Sequence, residues 1–426
     1  MAYGTYRALY STALDRLFAV IGSGLYEIFA DGTSQLRGNI NTNSGKCSIS
    51  ENETQLIIVD GIEGWIYTLV DNTLSQIVSA DFVASKHVLN LDGFFIVCEP
   101  NSGRFYWSTA GDGTSWDATN YAVAEGSPDN LVTIGKVNNE LWLFGSKTSE
   151  IWYDTGNSDS QFQRISQGFI DNGCAAEWSV ATIGNTIFWL GSNAQGHGIV
   201  WMASNYVPQR ISTHAIEYII GQISKKARID DAHAYCYQEE GHLFYVLTFP
   251  TGDRSLVYDL KTGMWHERGY WDSKNGAMKR HRSECQVFWK GKNYVGDYQN
   301  TNLYELDLDT YTDNDSLIRR YRTGPHIRRD RKRLYHHSFE LDVERGVGLS
   351  SGQGSAPKLY LQISNDGGKT FGADIPMSIG KIGQYTMRAI ARRLGGSRDR
   401  VYRVWTDDPA KMIIAGARAD IELESD

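Results

Sequence analysis

Proline is scarce in this chain, with eight in 426 residues, and no stretch approaches the roughly 18 uninterrupted apolar residues of a membrane span. A helical membrane protein is therefore excluded, and the first residues, Met1 to Arg7, lack the apolar core of a secretory signal. Cysteine is sparse too: Cys47, Cys98, Cys174, Cys236 and Cys285 are odd in number, widely scattered and never spaced C-x-x-C. They read as reduced thiols of a cytosolic product, not as a disulfide frame or a zinc site. Phosphate-cradling G-x-x-x-x-G-K-[ST], the G-x-S-x-G elbow and H-E-x-x-H are all missing. No spacing singles out a carboxylate pair of the kind a glycosidase needs. Nothing here favours an enzyme, a cofactor or a metal.

What is abundant is glycine and large aromatics, 43 Gly, 24 Tyr and 12 Trp, a composition suited to a turn-dense β-protein. A phrase of apolar run, Gly- or Ser-bearing turn and second apolar run recurs at 15–28, 55–69 and 138–153. Weaker echoes lie at 185–201, 241–258 and 286–306. Roughly seven hairpin units begin near Asp15, Gln55, Leu91, Asn138, Asn185, Gly241 and Gln286. One hairpin cannot bury both its faces, so the units must pack on one another. Repeats of about 40–50 residues predict an all-β chain with a propeller-like array of six or seven blades; a large β-sandwich is the alternative. The one convincing helical segment is 212–229.

The pattern changes near residue 316. Residues 1–316 are expected to form the propeller, 317–333 a basic linker, and 334–426 a compact C-terminal β-sandwich. Strand signals in that last part fall at 334–343, 358–364, 401–406 and 412–422. Charge changes as well. The net charge is −8, yet from residue 317 onward about 20 Lys and Arg face about 13 Asp and Glu, leaving about −15 for the rest. An acidic body with a basic end presents different surfaces to different partners.

Arg319, Arg320, Arg328, Arg329, Arg331 and Arg333 crowd the linker and are the candidate protein-docking residues. The run lacks the interleaved aromatics of a single-strand platform and the recognition helix of a groove reader, so docking on protein takes precedence over DNA. The stretch Ser364-Asn-Asp-Gly-Gly-Lys-Thr-Phe371 fits the Asp-box hairpin of sialidase-like propellers. Two readings follow: a glycan-binding or glycan-hydrolysing propeller, or a turn in which Ser364 and Asp366 hydrogen-bond backbone, Gly368 permits the bend and Phe371 packs beneath. The second is the simpler, and 108–116 is a degenerate cousin. Residues 307–315 read as a solvated acidic turn, lacking the central Gly and terminal Glu of a calcium hand. His336 and His337 sit on a probable strand and face opposite sides.

In their joint order these segments resemble the packaged-DNA stabilisation proteins of short-tailed phages, which build the tail nozzle. The specific stretches are 106–116, 141–152, 259–268, 294–298, 311–315, 361–371 and 392–395. The resemblance implies a structural, non-enzymatic propeller subunit, six copies in a ring, and a channel through which double-stranded DNA passes without specific binding. It also implies a hub or adaptor under the portal, a needle or plug, a receptor-binding fibre or spike, a place in the virion tail and assembly in the host cytoplasm. Members of that family begin with some tens of additional residues, whereas Met1 here lies almost at the first hairpin. Ring closure and any N-terminal contact are the features this departure touches.

Overall fold

The computed structural model describes residues 5–193, 196–330 and 332–424. The chain divides into two compact units, 1–269 with 279–306, and 270–278 with 307–426.

The first unit holds seven consecutive antiparallel sheets among its described residues. The first is a simple meander of Tyr6–Ser11, Leu17–Ile21, Gly24–Ile28 and Ser34–Asn39. The others follow at 48–76, 88–123, 131–170, 173–210, 233–269 with 279–280, and 283–306. Burial falls steeply across each sheet. Leu17–Ile21 is buried at every position, whereas Ser34–Asn39 is exposed or half-buried throughout. The second sheet repeats the gradient from Gln55–Val59 to Thr73–Gln76. A strand covered on both faces reads as a continuous apolar run, which is why the recurring phrase stands out in the sequence. The outer strands are polar and leave little signal.

Tight hairpins set the register. Asp92 and Gly93, at φ 50° and 87°, join Val88–Leu91 to Phe94–Cys98 in a two-residue turn whose left-handed backbone matches the strand twist. Lys290 and Gly291 do the same between Ser283–Trp289 and Lys292–Asp297.

Hydrophobic clusters occupy the interfaces between successive sheets. Phe18, Val20 and Leu25 of the first pack on Leu56, Ile58 and Tyr67 of the second, and each later pair has its own cluster. The series returns to its start: Leu17 packs with Val287 and Trp289, and Tyr6 and Ile21 with Cys285 and Leu303. The inner strands of successive sheets also adjoin one another, and Ser283–Trp289 adjoins Tyr6–Ser11. The array is a closed propeller of seven blades. Among the described residues closure uses packing and polar clips, with no strand exchanged between the first and last sheets. Trp289 Nε1 donates to the Asp15 carbonyl at 2.9 Å, and the Tyr6 hydroxyl to that of Thr301 at 3.2 Å.

The helix is His214–Ser224, shorter than the 212–229 expected from sequence. Thr213 caps it, its hydroxyl accepting from the Ile216 N–H, and Ile216, Ile220 and Ile223 enter the core between the fifth and sixth sheets.

The second unit contains a β-sandwich. One sheet runs Arg320–Thr323, Val401–Thr406, Lys358–Ser364, Ile375–Ser378; in the other, Leu334–Val343 pairs with Ala389–Arg392 and Gly396–Ser397 on one edge and Ile414–Leu423 on the other. Between them lies a core that includes Phe339, Leu341, Leu361 and Tyr402. The basic segment 317–333 thus contributes a strand, because Arg320–Thr323 pairs with Val401–Thr406.

Candidate docking surface

The arginines of the basic run have different surroundings. Arg319 lies between two indoles, its guanidinium carbon 4.0 Å from the ring centre of Trp271 and 4.2 Å from that of Trp405. It also pairs with Asp407 at 3.5 Å. Arg320 donates to the carbonyls of Asp408 at 2.5 Å and Ala410 at 3.0 Å, while its buried Nε has no partner. Burial pulls its pKa below the ordinary value, outweighing the raising influence of Tyr311, Asp408 and Asp407. These two are built into the fold. Arg328 and Arg329 are exposed, and neither forms an ion pair among the described residues. Arg333 is exposed, lying over the Tyr335 ring at 5.7 Å. Arg331 lies outside the described residues.

Sequence reasoning passed over Arg322 and Arg403. Arg322 is exposed on the strand Arg320–Thr323, and Arg403 stacks 3.6 Å above Phe371. The alternation Arg320-Tyr321-Arg322 is the period-two signal of a strand, masked by the density of charge around it.

The Asp-box is a self-contained turn. The Ser364 hydroxyl donates to Asp366 Oδ1 at 2.6 Å and accepts from the Gly368 N–H at 2.9 Å. The Asp366 carboxylate further accepts from the Lys369 and Thr370 N–H groups at 3.0 Å and from the Thr370 hydroxyl at 2.6 Å. Hydrogen bonds from Ser364 and Thr370 hold its pKa far below the usual carboxylate range. Gly367 and Gly368 supply φ values of 75° and 85°. Phe371 is half-buried beneath Arg403. In the cousin at 108–116, Asp112 accepts from the N–H and hydroxyl of Thr114, and buried Trp116 donates to the Gly113 carbonyl. Each carboxylate is occupied with its own turn. At 307–315, Asp307 likewise accepts from the Asp309 N–H and the Thr310 hydroxyl.

A family model described as bacteriophage P22 Gp10, beta-propeller, matches residues 2–311, and one described as bacteriophage P22 Gp10, beta-sandwich, matches 319–422. The chain belongs to the bacteriophage P22 Gp10 family. It is a phage structural protein of the kind that stabilises packaged DNA. No curated protein matches it. Among solved structures, the extracellular domain of BT4673 from B. thetaiotaomicron aligns with TM-score 0.46 and 11% identity, over 82% of this chain and 45% of that one. The chain thus spans less than half of that structure. The WD40 beta propeller domain of Doa1 aligns with TM-score 0.44 and 10% identity, over 72% and 93%.

This Gp10-family propeller carries a polar cluster where several sheets begin. Lys46 Nζ lies 2.8 Å from Glu284 Oε1, and Arg280 3.0 Å from Oε2. Burial alone would raise the Glu284 pKa, but the charges around it, Lys46 foremost, hold it down to about 2. His233 stands 3.9 Å from the same carboxylate, and neither of its ring nitrogens has a hydrogen-bond partner. His87 stacks on Trp178 with ring centres 4.2 Å apart. Burial pushes both histidines down to about 3, so both are neutral at physiological pH. All five cysteines are free thiols, and burial pushes Cys47 up to about 12 and Cys174 to about 11. Among the described residues no three His, Cys, Asp or Glu side chains are grouped to hold a metal ion. Nor, among those residues, is any helix long and apolar enough to cross a membrane.

Proposed function

We propose that this chain is a nozzle subunit of a phage tail, which docks in a ring of six below the portal and hub, helps retain the packaged genome and forms the channel for its ejection. It does so without catalysis. The observation that carries this reading is the ordered family match, propeller over 2–311 and sandwich over 319–422. Electrostatics supports it. A conduit should not hold DNA, since each phosphate neutralised adds salt-sensitive affinity. An acidic propeller lets the duplex slide, while the basic C-terminal part grips acidic protein neighbours. Arg328, Arg329 and Arg333 are the exposed docking candidates, with Arg331 among them in sequence. Assembly takes place in the host cytoplasm, followed by attachment of a needle or plug and of fibres or spikes.

Negative-stain microscopy of the purified protein, alone and mixed with a portal–hub assembly, tests this. Six-fold rings that cap the hub are expected. A protein that stays monomeric and ignores the hub overturns the reading.

A further inference from the structure

We infer that the seventh sheet of the propeller takes its outer strand from a partner protein, as an extended segment that turns carboxylates toward the sixth sheet and apolar side chains toward the first.

Six of the seven sheets have four or five strands, whereas the last has three, Ser283–Trp289, Lys292–Asp297 and Leu303–Leu306. Among the described residues no strand pairs with the outer edge of Leu303–Leu306. In an antiparallel ladder every second residue turns its N–H and C=O to the neighbouring strand, so the remainder on this edge face outward. Such an edge is a template for strand addition.

The outer strands on either side are uncovered as well. Directly paired residues share a face of their sheet, which fixes where each side chain points. Leu36 lies opposite Tyr26, which shares a cluster with Leu303 and Cys285, so Leu36 faces the seventh sheet; it is 47% exposed. Met264 lies opposite Asp259, and Asp259 opposite Phe244, which shares a cluster with Tyr304 and Leu306. Met264 therefore faces the seventh sheet from the other side, and it is 62% exposed. The next residue, Trp265, points toward the fifth sheet, where it is half-buried and donates from Nε1 to the Ile211 carbonyl at 2.8 Å. Apolar side chains are covered where a full sheet adjoins and exposed where a strand is lacking.

The two faces of an added strand meet different surroundings. Leu303 and Glu305 face the first sheet, and Tyr304 and Leu306 the sixth. An added strand repeats that division through its own alternation. Side chains toward the first sheet meet Leu303 and Leu36 and are apolar; Glu305 on that face already pairs with Lys292 at 2.8 Å. Side chains toward the sixth sheet meet Arg268. Its half-buried guanidinium lies 5.1 Å from the Phe244 ring centre and 5.4 Å from that of Tyr237, and its Nε donates to His266 at 3.3 Å. Arg268 has no carboxylate partner among the described residues. An acidic side chain beside Tyr304 supplies one. Carboxylate and apolar residues thus fall on opposite faces of one strand. The inference rests on the propeller alone and stands whether or not the chain docks beneath a portal.

Fluorescence anisotropy of the full chain with labelled eight-residue peptides tests it. The probes alternate Val with Glu, Val with Lys, and Ser with Glu. Val–Glu is expected to bind saturably and about ten-fold tighter than either control. Arg268→Glu should weaken it about ten-fold and turn the preference toward Val–Lys, since close charge pairs couple by that much. Leu36→Asp, at an exposed position, should weaken it too and keeps the test open if Arg268→Glu fails to fold. Amide exchange in Leu303–Leu306 should slow on binding, while that in Arg320–Thr323, an edge strand of the sandwich, stays unchanged. Equal binding of Ser–Glu would reduce the effect to charge attraction and overturn the proposal. So would indifference to both substitutions, slowing at Arg320–Thr323 instead, or no Val–Glu binding at millimolar concentration. Self-association that Leu36→Asp abolishes, with no peptide effect, makes the occupant a second copy and also overturns it.

Discussion

Arg319 and Arg328 belong to one run of positive charge, yet only the first is fixed by its neighbours. Arg319 presents both faces of a planar cation to Trp271 and Trp405. An ammonium cannot fill that slot, because the stacking needs the flat guanidinium. Arg319→Lys should therefore destabilise the second unit by roughly 1–2 kcal/mol, measured by chemical denaturation. Equal stability would mean the stack contributes nothing. The buried histidines make a different prediction. His87 and His233 are held at about 3 in the folded chain, against about 6.5 when unfolded. The unfolded state binds more protons between those values, so stability is fully present above about 6.5 and falls as pH drops toward 3. Glu284 adds a further loss between about 4.5 and 2. His233→Gln should flatten the upper part of a plot of melting temperature against pH. An unchanged slope between pH 6.5 and 4 would discount His233.

The elements depend on how closely neighbouring sheets approach. Gly296 lies on Lys292–Asp297 at an ordinary φ, and an added Cβ would fall 2.3 Å from the Tyr6 ring. Gly296→Val forces the last sheet away from the first. Overpacking of this kind typically costs about 1–3 kcal/mol. Amide exchange should rise first in Tyr6–Ser11 and Lys292–Asp297, the two strands that the added side chain pushes apart. Faster exchange spread evenly over all seven sheets would place the weak point elsewhere. The helix is a smaller test. Thr213→Ala removes the cap and should lower stability by about 1 kcal/mol, whereas Thr213→Ser should restore nearly all of it.

The whole molecule combines an acidic body with a basic end, and the partners proposed for it depend on that contrast. Arg328 and Arg329 are exposed, so replacing both by Glu should leave the melting temperature nearly unchanged. Close charge pairs across an interface can couple by about 1.5 kcal/mol or more, so the same change should abolish attachment to the tail stump. Particles should then fill with DNA and leak it, as followed by nuclease sensitivity after packaging. Wild-type attachment should weaken as salt rises, since exposed pairs are screened. Stable, infectious particles from the double mutant would return these arginines to a solvated charge run.

The sequence by itself determined the all-β class and the hairpin repeat, favoured a propeller-like array over a large β-sandwich, and carried the resemblance to the family. The reason is local: strands buried on both faces must be continuous apolar runs, and two-residue turns need residues such as Asp92 and Gly93 that tolerate a left-handed backbone. Strand signals at 334–343, 358–364 and 401–406 coincide with the observed strands because their residues largely alternate between a buried and a more exposed face, a period that is also local. Other features depended on residues far apart in the chain. Closure brings Leu17 to Val287 and Trp289, and no local pattern encodes that meeting. The surroundings of Arg319 and Arg320 turned on Trp271, Trp405 and the Asp408 and Ala410 carbonyls, which only the tertiary fold brings near. A charge run looks uniform in sequence because charge alone carries no information about burial. Its members separate when packing decides which of them lose water, and that is a property of the folded chain.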